Sequence, residues 1–509
     1  MNRHFTPTDA QAVAAKTDVL PSVPRNVRLQ YLRALAAISV LLFHASVIVE
    51  RTTGSGTYLA TFGGYWGALG VAIFFALSGY LMRELIQRND PARFLISRVA
   101  RIYPPMMLVI GLSWLAFFAA GLPRGIDLIG LTLAPAGVRD YFLGVEWTLL
   151  YEVSYYVILA GLSAFGLRRL ASLFAVAWIA AILASILATG RVTLDQMPLA
   201  SELPLQAVNL PFLLGFILPD VKGLRVLPAG ILLAAVPTAL VGSYFLPASP
   251  ALSVIAPAVL LVAAAVRFPK AQATNAAGKA GEALGDASYM LYLCHMPLMT
   301  LAAGFVSNSW PSLLVWFGGV GSSIAIALVL GRADLKIHRW FKRATAKASL
   351  NRLRDIAVFF VALFLGTSVL SEYLVREKRT LEERARLALA STAPTMSTSI
   401  RAKVDAVQNL PDGTRVVRGY AIDLDHPNLA VHIAAVQNGK VVAIERVRRM
   451  RLAQARDWLR PDLANVRFGF VLMLPKNVDC SAGLIDVRAA FQDDRVVISA
   501  IEPEATICP

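Results

Sequence analysis

Long apolar runs alternate with short polar loops over the first 371 residues of the chain. Each run is close to the roughly 20 residues that a helix needs to cross the hydrocarbon core of a bilayer. The pattern predicts an α-helical integral membrane bundle, with a core of about ten helices plus an eleventh helix. Pro257 predicts a kink in the eighth run. The runs cover residues 33–49, 68–86, 105–121, 147–165, 171–189, 204–218, 226–246, 250–267, 284–305, 311–331 and 355–371.

The pattern changes after the last apolar run. Residues 372–399 are rich in charged residues and then in Ser, Thr and Pro, which predicts a charged helix and a linker. Over residues 400–509, short runs of alternating character are typical of β-strands, and Asn438-Gly439 is a strong hairpin signal. We expect a small β-sandwich-like domain here. Its strands are expected at residues 414–424, 429–437, 440–447, 468–474, 484–491 and 495–501.

The loops differ in their content of Lys and Arg. Basic residues cluster before the first run and in every second loop after it, whereas the intervening loops hold few. Cytoplasmic loops of membrane proteins carry this excess. We therefore expect the N-terminal segment, residues 1–32, to be cytoplasmic, and an odd helix count places the C-terminal β domain outside the cytoplasm. The first 30 residues are polar, which predicts no cleavable signal peptide.

The composition agrees with a membrane protein. The chain is 56% hydrophobic and 16% charged, whereas soluble domains contain about 25% charged residues. Its net charge of +16 is explained by the basic loops, so we expect the lipid bilayer and no nucleic acid as a partner. Cys480 and Cys508 both fall in the predicted β domain and are a disulfide candidate, which needs an oxidising compartment.

Arg33 and His44 lie eleven residues apart in the first apolar run. On a helix this spacing is close to three full turns, so both side chains lie on one face, roughly 16 Å apart along the axis. An ionisable residue inside a membrane is a functional-site candidate by default. The alternative is a His that only hydrogen-bonds a neighbouring helix.

Glu152 lies about five residues inside the fourth predicted helix, and His44 about six residues from the end of the first. At about 1.5 Å per residue the two side chains fall at similar depth. A carboxylate on one imidazole nitrogen fixes the tautomer so that the other nitrogen accepts a proton. We hypothesise that His44 is a general base, and that Glu152 orients it or stabilises its charged form. The alternative for Glu152 is a buried acid paired with an arginine.

Further polar residues lie near the same predicted helices. Arg98 and Arg101 are one helical turn apart, and the guanidinium fork suits phosphate, although basic residues are expected on that membrane side in any case. Ser78, Tyr289 and His295 are candidates for the path of a substrate. Their alternatives are helix packing and hydrogen bonding within the bundle. The spacing of possible ligands supports no metal site.

Five stretches in this order resemble the membrane-bound acyltransferase family 3, whose members are bacterial O-acyltransferases of cell-surface glycans, lipids and some antibiotics. The stretches are residues 33–44, 70–81, 98–104, 146–156 and 288–298. The resemblance covers about residues 28–345 and implies a membrane acyltransferase domain at 33–345 and a location in the bacterial inner membrane. The apolar run at residues 355–371 predicts an additional transmembrane helix outside that domain.

The resemblance also implies a reaction. An acyl group, usually acetyl, passes from cytosolic acyl-CoA to a hydroxyl on the outer side, on a carbohydrate or glycolipid acceptor. The family's motif of an Arg followed by ten residues and a His corresponds to Arg33 and His44. Its Arg-x-x-Arg motif corresponds to Arg98 and Arg101. We therefore expect Arg33, Arg98 and Arg101 to bind acyl-CoA as co-substrate, with no metal.

The chain departs from the family at two places. Near the end of the tenth helix, members often carry Glu-x-Pro, whereas this chain reads His338-Arg-Trp-Phe. The common extracellular addition is a Ser-based esterase-like domain, and this tail lacks its nucleophile block. Asp423-Leu-Asp425-His426 is therefore interpreted as an exposed turn.

Two other classes of function stay open. A transporter of sugar, lipid or acyl units is one, but such folds often show paired halves with matching broken helices, which this sequence does not display. A membrane-anchored glycan-binding protein without catalysis is the other. The identity of the acceptor and the oligomeric state are not predicted.

Overall fold

The computed structural model describes residues 26–221, 228–245, 250–268, 272–306, 309–391, 399–409, 414–427, 431–447, 449–450, 463, 466–475, 485–491 and 496–497. Cys480 and Cys508, and all but the end of the predicted N-terminal segment, lie outside these residues. The chain divides into two compact units, Met1–Glu372 and Tyr373–Pro509.

The described part of the first unit is mostly helical, and each predicted apolar run contains at least one helix there, so the predicted membrane bundle is confirmed. Its helices are α1 (Val27–Thr53), α2 (Thr57–Thr61), α3 (Gly64–Arg88), α4 (Pro91–Ala119), α5 (Glu146–Ala164), α6 (Ala171–Thr189), α7 (Leu210–Ile217), α8 (Ala229–Phe245), α9 (Pro250–Ser253), α10 (Ile255–Arg267), α11 (Ala276–Ala303) and α12 (Ser312–Lys347). Helix α13 (Leu350–Ser391) continues into the second unit. Short 3₁₀ turns lie at Gly130–Thr132, Leu167–Leu170, Leu203–Leu205, Ala207–Asn209 and Leu218–Asp220.

Within the described residues, six helices are long and apolar enough to cross a membrane. They are Val27–Thr53, Gly64–Arg88, Pro91–Ala119, Leu167–Thr189, Ser312–Lys347 and Leu350–Glu377. Helices α5 and α11 are less apolar because they carry polar side chains, among them Glu152 and His295. The helices that are not apolar enough to be counted as membrane-spanning thus include α5 and α11, which carry Glu152 and His295.

Helix α4 begins earlier than predicted. The apolar run starts at residue 105, but the helix starts at Pro91, because Asp90 accepts the N–H of Ala92 at 2.9 Å and Pro91 occupies the first helical position. Arg98 and Arg101 therefore lie on the helix and not in a loop. Two prolines, Pro104 and Pro105, lie inside it.

Two other predicted runs are broken. Residues 250–267 divide at Val254 into α9 and α10, so Pro257 lies in the first turn of a new helix and not at a kink. The run at residues 204–218 contains 3₁₀ turns and the short α7. Helix α7 crosses α3 through Gly79, where a Cβ would lie 2.0 Å from the Phe212 carbonyl oxygen.

The second unit contains two four-stranded antiparallel sheets, as the predicted small β domain requires. The strands are β1 (Ile400–Asn409), β2 (Arg415–Asp423), β3 (Val431–Gln437), β4 (Lys440–Arg446), β5 (Arg449–Met450), β6 (Arg467–Leu474), β7 (Ile485–Phe491) and β8 (Val496–Val497). Their orders are β1-β2-β6-β5 and β4-β3-β7-β8. One apolar core joins both sheets, with Val417 and Phe470 from the first and Ile433 from the second. Asn438 and Gly439 have φ of 50° and 72°, which confirms the hairpin turn.

Candidate functional site

A cavity of about 260 Å³ lies inside the helical unit, between α1, α3, α4, α5, α11 and α12. It contains six of the eight residues that we singled out for catalysis, donor binding or the substrate path, namely Arg33, Ser78, Arg98, Arg101, Glu152 and Tyr289. The other two, His44 and His295, form a pair described below. The structure therefore brings residues from five separate stretches of sequence to one place.

Arg101 is held by the protein on two sides. Its guanidinium donates to Asp334 on α12 at 2.7 Å, and it lies over the Tyr289 ring at 5.1 Å. Tyr289 in turn donates its hydroxyl proton to the Ile102 carbonyl at 3.0 Å. The Asp334 side chain is 1% exposed, so it largely neutralises the charge of Arg101.

Arg33 and Arg98 are less constrained. Among the described residues, no ion pair or hydrogen bond occupies the Arg33 guanidinium, and Arg98 makes only a 3.5 Å contact with Ser97. Both side chains are partly buried and line the cavity. Because an uncompensated charge away from water is costly, two such guanidinium groups favour an anionic ligand.

Glu152 shares the cavity with these arginines. One of its oxygens, Oε1, accepts hydrogen bonds from Ser78 at 3.3 Å and from the Tyr156 hydroxyl. Tyr156 also lines the cavity, so both donors and their carboxylate face the same space. The cavity wall thus contains one carboxylate, that of Glu152, together with the guanidinium groups of three arginines.

Much of the remaining wall is apolar. Its side chains come mostly from α3, with one from α4 and one from α5. They are Val71, Phe74, Phe75, Leu77, Leu81, Met82, Ile102 and Leu149. A ligand that combines anionic groups with an uncharged extended part would match this division of the surface.

His44 and His295 form a hydrogen-bonded pair between α1 and α11. His44 Nδ1 lies 2.9 Å from His295 Nε2, and His295 Nδ1 lies 2.9 Å from the Leu291 carbonyl oxygen. A carbonyl only accepts, so the neutral His295 carries its proton on Nδ1 and accepts at Nε2. His44 must then donate from Nδ1. This assignment leaves His44 Nε2 with a free lone pair, which is the state that a general base needs.

The expected pairing of His44 with Glu152 is therefore corrected. His295 hydrogen-bonds His44, whereas Glu152 bonds Ser78 and Tyr156 and lies with the arginines. The physical reason is the segment before α5, where Phe142, Leu143 and Val145 are at most 3% exposed. Helix α5 thus begins inside the protein, and Glu152 lines the cavity together with Arg33, eleven residues before His44 on α1, so counting residues from the predicted helix ends did not find its contacts.

The cavity also includes residues to which we assigned no role from the sequence. Thr148, Tyr156 and Tyr292 line it, and so does His338, which was noted only as a departure from the family. Asp334 stands behind the wall as the partner of Arg101. Asp334 and His338 are four residues apart and so share one face of α12. This spacing of two ionisable residues in a long helix could have identified them from the sequence as candidate site residues.

The turn Asp423–His426 in the second unit has a structural explanation. Asp423 Oδ1 accepts the N–H of Asp425 at 3.0 Å, and His426 lies 3.6 Å from the same carboxylate. Burial alone would raise the pKa of Asp423, but hydrogen bonds from the Asp425 N–H and the Ser399 side chain bring it below its ordinary value. These contacts are those of an ordinary turn.

Two comparisons with known proteins bear on this site. The family model described as "Acyltransferase domain" matches residues 26–332. The exopolysaccharide production protein ExoZ of Rhizobium meliloti (strain 1021) is similar to the chain, with 29% identity over 284 residues that are 52% of this chain and 83% of that protein. No solved structure matches the chain. The family match includes every residue of the cavity wall except His338.

Proposed function

The chain belongs to the membrane-bound acyltransferase family whose motifs it carries, and from this premise we propose that it transfers an acyl group, most simply acetyl, from cytosolic acyl-CoA to a hydroxyl of a cell-surface or exported carbohydrate. One observation carries the proposal. A single cavity has two weakly constrained arginines in its wall, and a histidine pair with a free lone pair lies beside it.

Acyl-CoA fits the division of the cavity surface. Its phosphates would be bound by Arg33 and Arg98, and its uncharged pantetheine arm and acyl group would lie along the apolar wall. Arg101 would add to this basic surface, although Asp334 offsets most of its charge, and Glu152 would hold Ser78 and Tyr156 in the wall. The separation of about 16 Å between Arg33 and His44 on one helix suits a thin, extended arm.

The chemistry then needs one proton carrier. His44 Nε2 takes the proton of the acceptor hydroxyl as its oxygen attacks the thioester carbonyl carbon. The C–O bond forms, the C–S bond breaks, and the imidazolium returns the proton to the CoA thiolate. His295 holds His44 in the tautomer that this sequence of events requires. Ser78 and Tyr289 are proposed as wall residues of the acyl path.

The acceptor and the sidedness rest on other support. The name of ExoZ concerns exopolysaccharide production, which favours a carbohydrate acceptor. The alternation of basic loops favours a bacterial inner membrane location with the N-terminus in the cytoplasm. The β unit would then face the periplasm or the cell exterior.

The test uses purified full-length protein in nanodiscs, acetyl-CoA and alkali-deacylated surface polysaccharide from the producing cells. Free CoA thiol and acetyl esters should appear in equal amounts with the wild type. His44→Gln should abolish both, and His426→Gln, a matched change at an exposed histidine of the β unit, should leave them unchanged. Transport of label without thiol release would favour the transporter, and full activity of His44→Gln would remove His44 as the base.

A further inference from the structure

Two hydroxyl groups in the cavity wall are in contact with each other. Thr148 on α5 and Tyr292 on α11 both line the cavity, and each residue is 6% exposed. The Thr148 Oγ1 and Tyr292 Oη atoms are 2.6 Å apart. They therefore present two polar atoms, already in contact, within a largely apolar wall.

These two hydroxyls share one backbone acceptor. The Val145 carbonyl oxygen lies 3.0 Å from the Tyr292 hydroxyl and 3.2 Å from that of Thr148. Two protons are available, one for the contact between the hydroxyls and one for the carbonyl. Either hydroxyl can turn its proton toward a new acceptor in the cavity while the other continues to satisfy Val145. A ligand oxygen can thus be bound without leaving a buried carbonyl unpaired.

The position of Tyr292 links the cavity to the proposed base. Its ring centroid is 6.0 Å from that of His295, which bonds His44 at 2.9 Å. Phe74 contacts the Tyr292 ring edge-on, with centroids 5.9 Å apart. The hydroxyl is therefore held in place and close to the residues that would handle the proton.

We propose that the hydroxyls of Tyr292 and Thr148 bind the carbonyl oxygen of the acyl donor and stabilise the negative charge that develops on it. This inference rests on the proposed function. As the acceptor oxygen bonds to the carbonyl carbon, the π electrons of the C=O bond move to its oxygen, where one of the two hydroxyls donates to it while the other keeps the Val145 carbonyl paired. The C=O bond then re-forms and the C–S bond breaks, and the departing thiolate takes the proton held by His44. Preorganised donors in a site without bulk water are well suited to this task.

A purely structural role is the competing explanation, because the Thr148–Tyr292 contact also ties α5 to α11. The two roles differ in what they change. If the contact only joins the two helices, its loss should lower stability. If the hydroxyls bind the carbonyl, their loss should slow the chemical step, and it should slow it less for a donor whose carbonyl is more reactive. The experiment must therefore separate kcat from KM and from stability.

The variants are Tyr292→Phe and Thr148→Val, with Thr148→Ser to restore the hydroxyl. Tyr151→Phe is the matched control, because it removes a tyrosine hydroxyl on α5 that donates to the Asp195 carbonyl and does not line the cavity. Initial rates are measured with acetyl-CoA and with fluoroacetyl-CoA, whose carbonyl is more electrophilic. Thermal unfolding of each variant is recorded in the same nanodiscs.

We expect Tyr292→Phe and Thr148→Val each to lower kcat by about 100-fold with little change in KM for acetyl-CoA, the usual cost of losing one such donor. The deficit should shrink with fluoroacetyl-CoA, and Thr148→Ser should recover most of the rate. Retention of kcat within about threefold by both variants overturns the inference, and so does a deficit that is the same with both donors. If the wild type releases no CoA, the proposed function itself fails, which is a separate result.

Discussion

At the scale of single residues, His295 determines which ring nitrogen of His44 carries the proton. Its Nδ1 donates to the Leu291 carbonyl, so its Nε2 is an acceptor and His44 Nδ1 must donate. A side chain that accepts at the Nε2 position should preserve this arrangement, and one that cannot should lose it. His295 is therefore a positioning residue, since it acts on the reaction through His44.

This role predicts different outcomes for two substitutions. His295→Leu leaves His44 Nδ1 without a partner, so kcat should fall by about 10²-fold or more, as when the orienting group of a catalytic histidine is lost. His295→Gln offers an amide oxygen near the position of Nε2 and should retain a larger share of the rate. The pH profile of kcat should shift for both variants, and equal rates for Leu and Gln would contradict the tautomer argument.

Local spacing was enough to identify much of the site from sequence. Arg33 was singled out by its spacing from His44 and Arg98 by its spacing from Arg101, and the cavity contains Arg33 and Arg98. The partner of His44 could not be found this way. It depends on how α11 packs against α1, which brings His295 to His44 from 251 residues away in the sequence.

Helix α4 shows at the scale of elements how one boundary changes the roles of residues. Sequence placed Arg98 and Arg101 in a loop because the apolar run starts at residue 105, although the Asp90-Pro91 start signal was present. On the helix, Arg101 reaches Asp334 of α12 and ties the two elements together. Arg98 has no such ion pair among the described residues, so we expect Arg101 to join two helices and Arg98 to bind the donor.

This division predicts opposite consequences for two matched substitutions. Arg98→Gln should raise KM for acyl-CoA about 10-fold or more, the value of one charge-assisted hydrogen bond, with little change in stability. Arg101→Gln leaves the buried Asp334 unpaired and should lower the free energy of unfolding by about 3–5 kcal/mol.

The double variant Arg101→Gln/Asp334→Asn is the control for this division, because it removes both charges and should recover most of the stability. Thermal unfolding and acetyl-CoA kinetics on the same preparations check both arms. If Arg98→Gln and Arg101→Gln raised KM for acyl-CoA equally and had the same stability, the two arginines would not have the different roles assigned to them.

The crossing of α3 and α7 makes a second prediction at this scale. A Cβ at Gly79 would lie 2.0 Å from the Phe212 carbonyl oxygen, whereas a Cβ at Gly111 on α4 meets nothing within 4 Å. Gly79→Ala should therefore destabilise the protein by about 1–3 kcal/mol or more through overpacking. Gly111→Ala should be neutral or stabilising by up to about 1 kcal/mol, because Ala favours a helix. Thermal unfolding in detergent compares the two, and equal effects would argue against the close crossing.

The pattern of apolar runs was sufficient to predict the architecture at the scale of the whole molecule, because membrane helices satisfy their backbone hydrogen bonds locally and need only length and hydropathy. The pattern of apolar positions predicts the strands of the β unit less completely. Strand β1 (Ile400–Asn409) was not predicted, since charged residues such as Arg401 and Asp405 obscure its apolar positions. Sheets are built from pairings between distant segments, which the spacing along one strand does not specify.

The sidedness of the chain is a prediction that belongs to this scale. Lys347 is exposed at the end of α12 in a strongly basic stretch, and Lys440 is exposed at the start of β4. The apolar helical segment Leu350–Glu377 lies between them and is long enough to span the membrane. If basic loops face the cytoplasm, the two lysines lie on opposite sides of the bilayer.

In a Cys480→Ser/Cys508→Ser background, a membrane-impermeant maleimide should label Lys440→Cys in intact cells and Lys347→Cys only after lysis. Labelling of both positions only after lysis would place the β unit in the cytoplasm. It would then be on the side of the donor, which contradicts the predicted location outside the cytoplasm.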